Sequence, residues 1–261
     1  MEIKQGTAIV TGSATGLGAA IAKRLASKGC NVVINYTRSE ADAEETAAAC
    51  ENLGVEALLC RADVANDADC RRMAALSMEK WGRIDALVNN AGVTKFTPAE
   101  DLESLSAEDF QHMYAVNVVG PYQMIRAVAP HMKRGGRGAV VNISTIAAIT
   151  GDGSSVAYAA SKGALNVMTL SLARALGPEI RVNAICPGFV QTRWNRDGMG
   201  EKAYGERVVQ MERMTPLQTA NTPEEIAETA VWLVEGGDCV TGEIILADSG
   251  LHLVSAPLSS R

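Results

Sequence analysis

Tyr158 and Lys162, in the run YAASK, are four residues apart. On a helix that spacing puts both side chains on one face. A phenol with an unperturbed pKa of about 10 is a poor base at neutral pH, and an ammonium beside it favours the phenolate. The pair reads as a general acid and base whose strength Lys162 tunes, with the Lys162 amine also able to reach a ribose hydroxyl. Ser144 ends the apolar run VVNIS, ahead of Tyr158 in the chain. A hydroxyl at the end of a strand can face a helix that starts soon afterwards and hold a carbonyl or alkoxide oxygen beside the phenol. Asn117 is the fourth polar residue, among Met113, Val116 and Val119 on one helical face. It either holds a water that links the site to solvent or satisfies an irregularity of its helix.

A second group of residues suits a nucleotide. TGSATGLG, from Thr11 to Gly18, follows an apolar run and opens a helical pattern. Gly12, Gly16 and Gly18 permit a tight turn and let backbone approach a pyrophosphate, which a helix N-terminus then holds. The spacing is G-x-x-x-G-x-G rather than the commoner G-x-G-x-x-G. Asp63, in RADV, reads as a carboxylate for an adenine amino group or as a turn residue. NNAG, from Asn89 to Gly92, places another glycine at a strand end, where backbone crowds against a ligand.

These residues need a frame, and the sequence supplies strands alternating with helices. Apolar runs at Thr7–Thr11, Asn31–Asn35, Val55–Cys60, Ile84–Asn89, Gly138–Ser144, Ile180–Cys186 and Glu243–Leu246 read as strands. Helical patterns are expected at about Leu17–Lys28, Ser39–Leu53, Asp67–Trp81, Ala107–Lys133, Ser155–Leu176 and Thr222–Val234. Continuous apolar strands separated by amphipathic helices imply a doubly wound α/β fold, with a mostly parallel sheet of about seven strands between two helical layers. Ligands of such a sheet bind beyond its carboxyl ends, where the strand order switches. The stretch 191–217 shows no clear period and holds Gly198, Gly200 and Gly205. It is expected to be a long loop serving as a substrate lid. The whole chain, 1–261, is expected to form a single domain.

Composition removes other classes. The net charge is −6 and the pI about 5.2, which disfavours nucleic acid as a partner. Six cysteines without a CxxC pair read as reduced thiols, and three scattered histidines form no metal-ligand pattern. No run is long enough to span a bilayer and no secretory signal is visible, so a cytoplasmic protein is expected.

Taken in order, TGSATGLG, Asp63, NNAG, Asn117 in NVVG, Ser144, YAASK and the Pro187-Gly188 pair resemble the short-chain dehydrogenase/reductase family over about Gly6 to Leu253. The resemblance implies a Rossmann fold and a catalytic tetrad of Asn117, Ser144, Tyr158 and Lys162. It implies an NAD(P) cofactor along Gly12, Ser13, Thr15, Gly16, Leu17 and Gly18, past Asp63 and Val64, and along Asn90, Ala91 and Gly92. Pro187, Gly188, Val190 and Thr192 would hold the nicotinamide carboxamide, beside Tyr158 and Lys162. The end of the second strand carries Tyr36 where an acidic residue would select NAD, and Arg38 and Ser39 follow. This favours NADP, against which stands Thr15 where many NADP-using relatives have a basic residue. Candidate substrate residues are Thr94, Ser144, Ile146, Phe189 and Trp194, with Val93, Phe96, Ala147 and Ser154 as further wall. The expected substrate is a small carbonyl or alcohol compound and the expected assembly a homotetramer. Similarity to 3-oxoacyl-carrier-protein reductases and to sugar dehydrogenases leaves both as alternatives, with a catalytically silent nucleotide sensor as a third.

Overall fold

The computed structural model describes residues 1–254; of the expected single domain, 255–261 lie outside the described residues. Seven parallel strands form one sheet: β1 Thr7–Val10, β2 Asn31–Tyr36, β3 Ala57–Arg61, β4 Ala86–Asn89, β5 Gly138–Ile143, β6 Ile180–Pro187 and β7 Ile244–Ala247. Their order is β3-β2-β1-β4-β5-β6-β7. The order reverses between β1 and β4, and the register there pairs Val10 with Val88. Two motifs, the glycine turn after β1 and NNAG after β4, therefore emerge side by side at the carboxyl edge.

Helices cover both faces. In chain order they are α1 Gly16–Ser27, α2 Glu40–Glu51, α3 Asp67–Trp81, α4 Ala107–Tyr114, α5 Gly120–Arg134, α6 Ala147–Thr150, α7 Val156–Leu176, α8 Arg193–Met199, α9 Glu201–Met214 and α10 Pro223–Glu235. On one face α1 packs between α2 and α10, and on the other α3 packs on α5 with α7 beside the sheet. Ile21 and Leu25, one turn apart on α1, have no exposed surface and join Val10, Val32 and Ile34 in the core on that face. Each such side chain stabilises the fold by about 1.5–3 kcal/mol through burial. The opposite core holds Ile9, Val33, Leu87, Met124 and Val182, so successive residues of β1 and of β2 serve opposite faces.

Three departures from the sequence reading have physical causes. The stretch 191–217 is not irregular: α8 and α9 occupy most of it. A glycine inside a helix, as at Gly198 and Gly205, costs only about 1 kcal/mol relative to alanine, and the Thr192 hydroxyl caps α8 by accepting from the Asn195 amide. The helical region starting at Ala107 is interrupted by a π turn, Ala115–Val119, between α4 and α5. The short α6, after β5, had no readable period. By contrast α3 spans the predicted residues, because the Asn66 side chain caps its start and Gly82, at φ 69°, ends it.

Candidate active site

A cleft of about 2100 Å³ runs along the carboxyl edge of the sheet. Its middle is the glycine turn. Gly12 has φ +61°, and a Cβ there would sit 2.9 Å from the Ala91 Cα. Only a glycine lets the two loops approach so closely. Side chains fix the contact: the Asn90 amide donates to the Thr11 and Gly12 carbonyls at 3.0 and 2.9 Å, and the Thr11 hydroxyl accepts from the Asn90 and Ala91 N–H groups, each at 3.0 Å. No side chain caps α1, and its first turn holds no acidic residue. The turn thus presents bare backbone and a positive helix end to an anion, which fits the diphosphate of a dinucleotide.

At the β2–β3 end, Tyr36, Arg38, Asp63 and Val64 line the cleft. The Tyr36 phenol donates to Glu40 at 2.8 Å. The carboxylate thereby raises the phenol above its ordinary pKa. Asp63 accepts from the Ala65 N–H, forming a turn, and still reaches the cleft wall.

The β5–β6 end brings Ser144, Tyr158 and Lys162 into the same cleft. Tyr158 lies in the first turn of α7, whose start Ser155 caps by accepting the Tyr158 N–H at 3.2 Å. The Lys162 Nζ donates to the Ile143 carbonyl at 2.7 Å and lies 5.8 Å from the centre of the Tyr158 ring. Burial lowers the Lys162 pKa to about 8. Burial also pushes the Tyr158 phenol above its usual range. Desolvation is the largest influence on the phenol and the neighbouring Cys186 acts in the same direction, so the protonated form is favoured. The Ser144 hydroxyl donates to the Lys162 carbonyl at 3.3 Å, tying β5 to α7.

Asn117 is placed differently from expectation. It sits in the π turn and is fully buried, and it does not line the cleft. Its Oδ1 accepts from the Val93 N–H at 2.9 Å. Its Nδ2 donates to the Val93 carbonyl and to the Ser161 hydroxyl, each at 3.0 Å. The amide pins the loop after β4 to α7, rather than bonding the backbone of its own helix. Five further candidates also fall outside the cleft wall, among them Ala147, which is buried at the start of α6. Ser13 turns inward, donating to the Val10 carbonyl at 2.7 Å. Gly18 packs on the turn, where a Cβ would lie 2.4 Å from the Gly12 oxygen. Ser39 occupies the N-cap position of α2. The Thr94 hydroxyl is 2.7 Å from that of Ser154, which does line the cleft. The remaining positions, Thr15, Gly16, Leu17, Asn90, Ala91 and Gly92, then Ile146, Pro187, Gly188, Phe189, Val190, Thr192 and Trp194, line it as expected.

Some contributors were not singled out from sequence. Asn35, buried at the end of NVVIN, accepts from the Gly12 N–H at 2.9 Å and donates to the Cys60 and Ala62 carbonyls. A polar residue in an apolar strand was the available signal. Arg61 and Arg72 join Arg38 at the β2–β3 end, assembled by the pairing of Tyr36 with Arg61. Cys186 lies behind the tyrosine end, its buried thiol raised in pKa by burial and flanked by Asn166 and Ser144.

Known proteins share this arrangement. A solved structure described provisionally as a short-chain dehydrogenase/reductase of Burkholderia xenovorans has a TM-score of 0.88 and 40% identity, covering 95% of this chain and 98% of that chain. The family model described as Enoyl-(Acyl carrier protein) reductase matches residues 12–252. The chain belongs to the short-chain dehydrogenase/reductase family. Among curated relatives, it is 42% identical to a protein of Streptomyces violaceoruber provisionally named ketoacyl reductase 2 of the granaticin polyketide synthase, covering 95% of this chain and 96% of the relative. It is 36% identical to glucose 1-dehydrogenase 2 of Bacillus subtilis, over 97% and 96% of the two. A 3-oxoacyl-[acyl-carrier-protein] reductase of Synechocystis is 32% identical over 94% and 96%. As a short-chain dehydrogenase/reductase, the chain is a nicotinamide-dependent oxidoreductase of carbonyl and alcohol groups, a ketoreductase.

Proposed function

We propose that this short-chain dehydrogenase/reductase reduces a ketone to a secondary alcohol, preferring NADPH, with Tyr158 as the general acid. The observation that carries the reading is one cleft lined by the glycine turn at its middle and by Ser144, Tyr158 and Lys162 at one end. A bound nicotinamide dinucleotide supplies the hydride. The Tyr158 hydroxyl donates its proton to the carbonyl oxygen as negative charge develops there, and the Ser144 hydroxyl donates a hydrogen bond to the same oxygen. Burial suits Tyr158 to this role, since the phenol holds its proton until an acceptor forms. Lys162, with its pKa lowered to about 8, can return a proton to the Tyr158 oxygen near neutral pH and would also hold the nicotinamide ribose. Asn117 acts through others, fixing Val93 and Ser161 around Lys162. Ketone, hydride and one proton give the alcohol, and oxidation is the reverse.

The preference for NADPH rests on the β2–β3 end. The strand-end position carries Tyr36, and Arg38 lines the cleft with Arg61 and Arg72. Arg72 pairs with Asp69 at 2.6 Å, whereas Arg38 has no carboxylate partner among the described residues. An arginine there attracts a 2′-phosphate. Residues 191–217, carrying α8 and α9, serve as the lid of a single catalytic domain. The same reading makes the protein a cytoplasmic homotetramer. Support for the tetramer comes from the exposed Tyr114 and Tyr122 on α4 and α5 and the exposed Val167 and Leu170 on α7. Light scattering after gel filtration checks the assembly. The function itself is tested by loss of nicotinamide absorbance with NADPH and NADH in parallel, against activated ketones and an acetoacetyl thioester. Turnover with NADPH exceeding that with NADH supports the proposal, and NADH preference overturns the role of Arg38.

A further inference from the structure

Trp194 stands in the first turn of α8 with 43% of its surface exposed. It has two aromatic neighbours. Its ring centre is 5.4 Å from that of Phe96, at 58°, and 5.9 Å from that of Tyr158, at 47°. Both contacts are tilted, so neither neighbour lies flat on the indole. Phe96 belongs to the loop after β4 and is held by α8 itself. Gly198 is four residues after Trp194 on the same helical face, and a Cβ there would come within 2.0 Å of a Phe96 ring carbon. Phe96 fills the notch that Gly198 leaves. The aromatic wall is therefore built by close packing and abuts the proton-donating tyrosine.

Two polar pairs of this wall are already made, while the buried Thr97 hydroxyl has no partner among the described residues. The Ser154 hydroxyl is 2.7 Å from that of Thr94. The Asn195 amide donates to the Val190 carbonyl at 2.8 Å. Ile146, Met199 and Met211 continue the cleft surface. Groups paired within the wall are not offered to a substrate hydroxyl, and hydroxyls buried against the aromatic rings without partners are costly. What the wall offers is one oxygen site, at Ser144 and Tyr158, beside aromatic and thioether surface.

We propose that Trp194 and Phe96 bind the ring of an aryl ketone whose carbonyl oxygen lies at Tyr158 and Ser144. This rests on the ketoreductase reading and specifies the substrate class of the same site. A matched pair tests it: acetophenone and acetylcyclohexane carry the same acetyl group on a flat and a puckered six-membered ring. The first readout is the ratio of their kcat/KM values in the wild type, Trp194→Phe, Trp194→Leu and Phe96→Leu. Comparing one ratio between variants cancels the intrinsic reactivities of the two ketones. The second readout needs no turnover: dissociation constants of 1-phenylethanol and 1-cyclohexylethanol, from quenching of the fluorescence component that Trp194→Phe removes, with calorimetry for the variants. The expected results are a fall of about tenfold in both ratios for Trp194→Leu, a smaller fall for Phe96→Leu, and near-recovery in Trp194→Phe, as aromatic pairing contributes roughly 0.5–1.5 kcal/mol beyond burial. Ratios unchanged within twofold in Trp194→Leu overturn the proposal while leaving the ketoreductase intact. If the wild type reduces neither ketone while turning over an activated ketone or the acetoacetyl thioester, the aryl-ketone proposal is overturned and the ketoreductase reading stands; if it turns over none of them, the ketoreductase reading fails as well.

Discussion

Replacing Lys162 with methionine should change how stability depends on pH, and the structure sets both sign and size. Lys162 is 3% exposed, and burial lowers its pKa to about 8. In the unfolded chain a lysine titrates at about 10.4. Between these values the unfolded chain holds a proton that the folded protein has released. Stability from this group is therefore reduced below pH 8 and rises with pH through that window. One pKa unit is worth about 1.4 kcal/mol, so the full window amounts to roughly 3 kcal/mol. Methionine keeps the apolar stem and removes the titration. It also leaves the Ile143 carbonyl without its donor, a cost that does not depend on pH. Urea unfolding of both proteins, at one protein concentration, gives the stability difference at each pH. The difference, wild type minus variant, should rise by about 2 kcal/mol from pH 7.5 to pH 10. Other titrating groups, including the burial-raised thiols of Cys50 and Cys70, occur in both proteins and cancel. A difference that stays flat within about 0.5 kcal/mol would refute the claim that burial lowers the Lys162 pKa to about 8.

Arg38→Ala should raise KM for NADPH by roughly 10- to 100-fold, the equivalent of one charge-assisted hydrogen bond of about 1.5–3 kcal/mol, and change KM for NADH less than threefold; equal effects on both would remove Arg38 from the phosphate site. Leu25→Ala, on a side chain with no exposed surface between α1 and the sheet, should destabilise the fold by about 2–5 kcal/mol in urea or thermal unfolding. A loss under about 1 kcal/mol would mean that α1 packs less tightly than described. Asn117→Ala should lower kcat while leaving KM for NADPH nearly unchanged, since the amide holds Val93 and Ser161 rather than facing the cleft; unchanged kcat would count against its positioning role.

What could be read from sequence was local. The glycine turn, NNAG and YAASK are each contiguous, and their elements carry clear periods and caps, as α3 does between Asn66 and Gly82. What escaped depends on the assembled chain. Arg61 and Arg72 meet Arg38 only because β3 pairs with β2. The direction in which the Asn117 amide points follows from the π turn, and no residue pattern announces that turn. The stretch 191–217 shows no clear period, and the packing of Phe96 against Gly198 of α8 exists only in the assembled chain. The raised pKa of the Tyr158 phenol likewise follows from how the assembled chain surrounds it, which spacing does not announce.

The most direct test of the central claim is the turnover of Tyr158→Phe with NADPH and the best ketone of the panel, with NADPH binding measured alongside by fluorescence. The ring contact with Trp194 survives this change and only the proton donor is lost. The account predicts a drop in kcat of about 10²- to 10⁴-fold with NADPH affinity within threefold of wild type. Turnover close to wild type, with the cofactor bound normally, would contradict it.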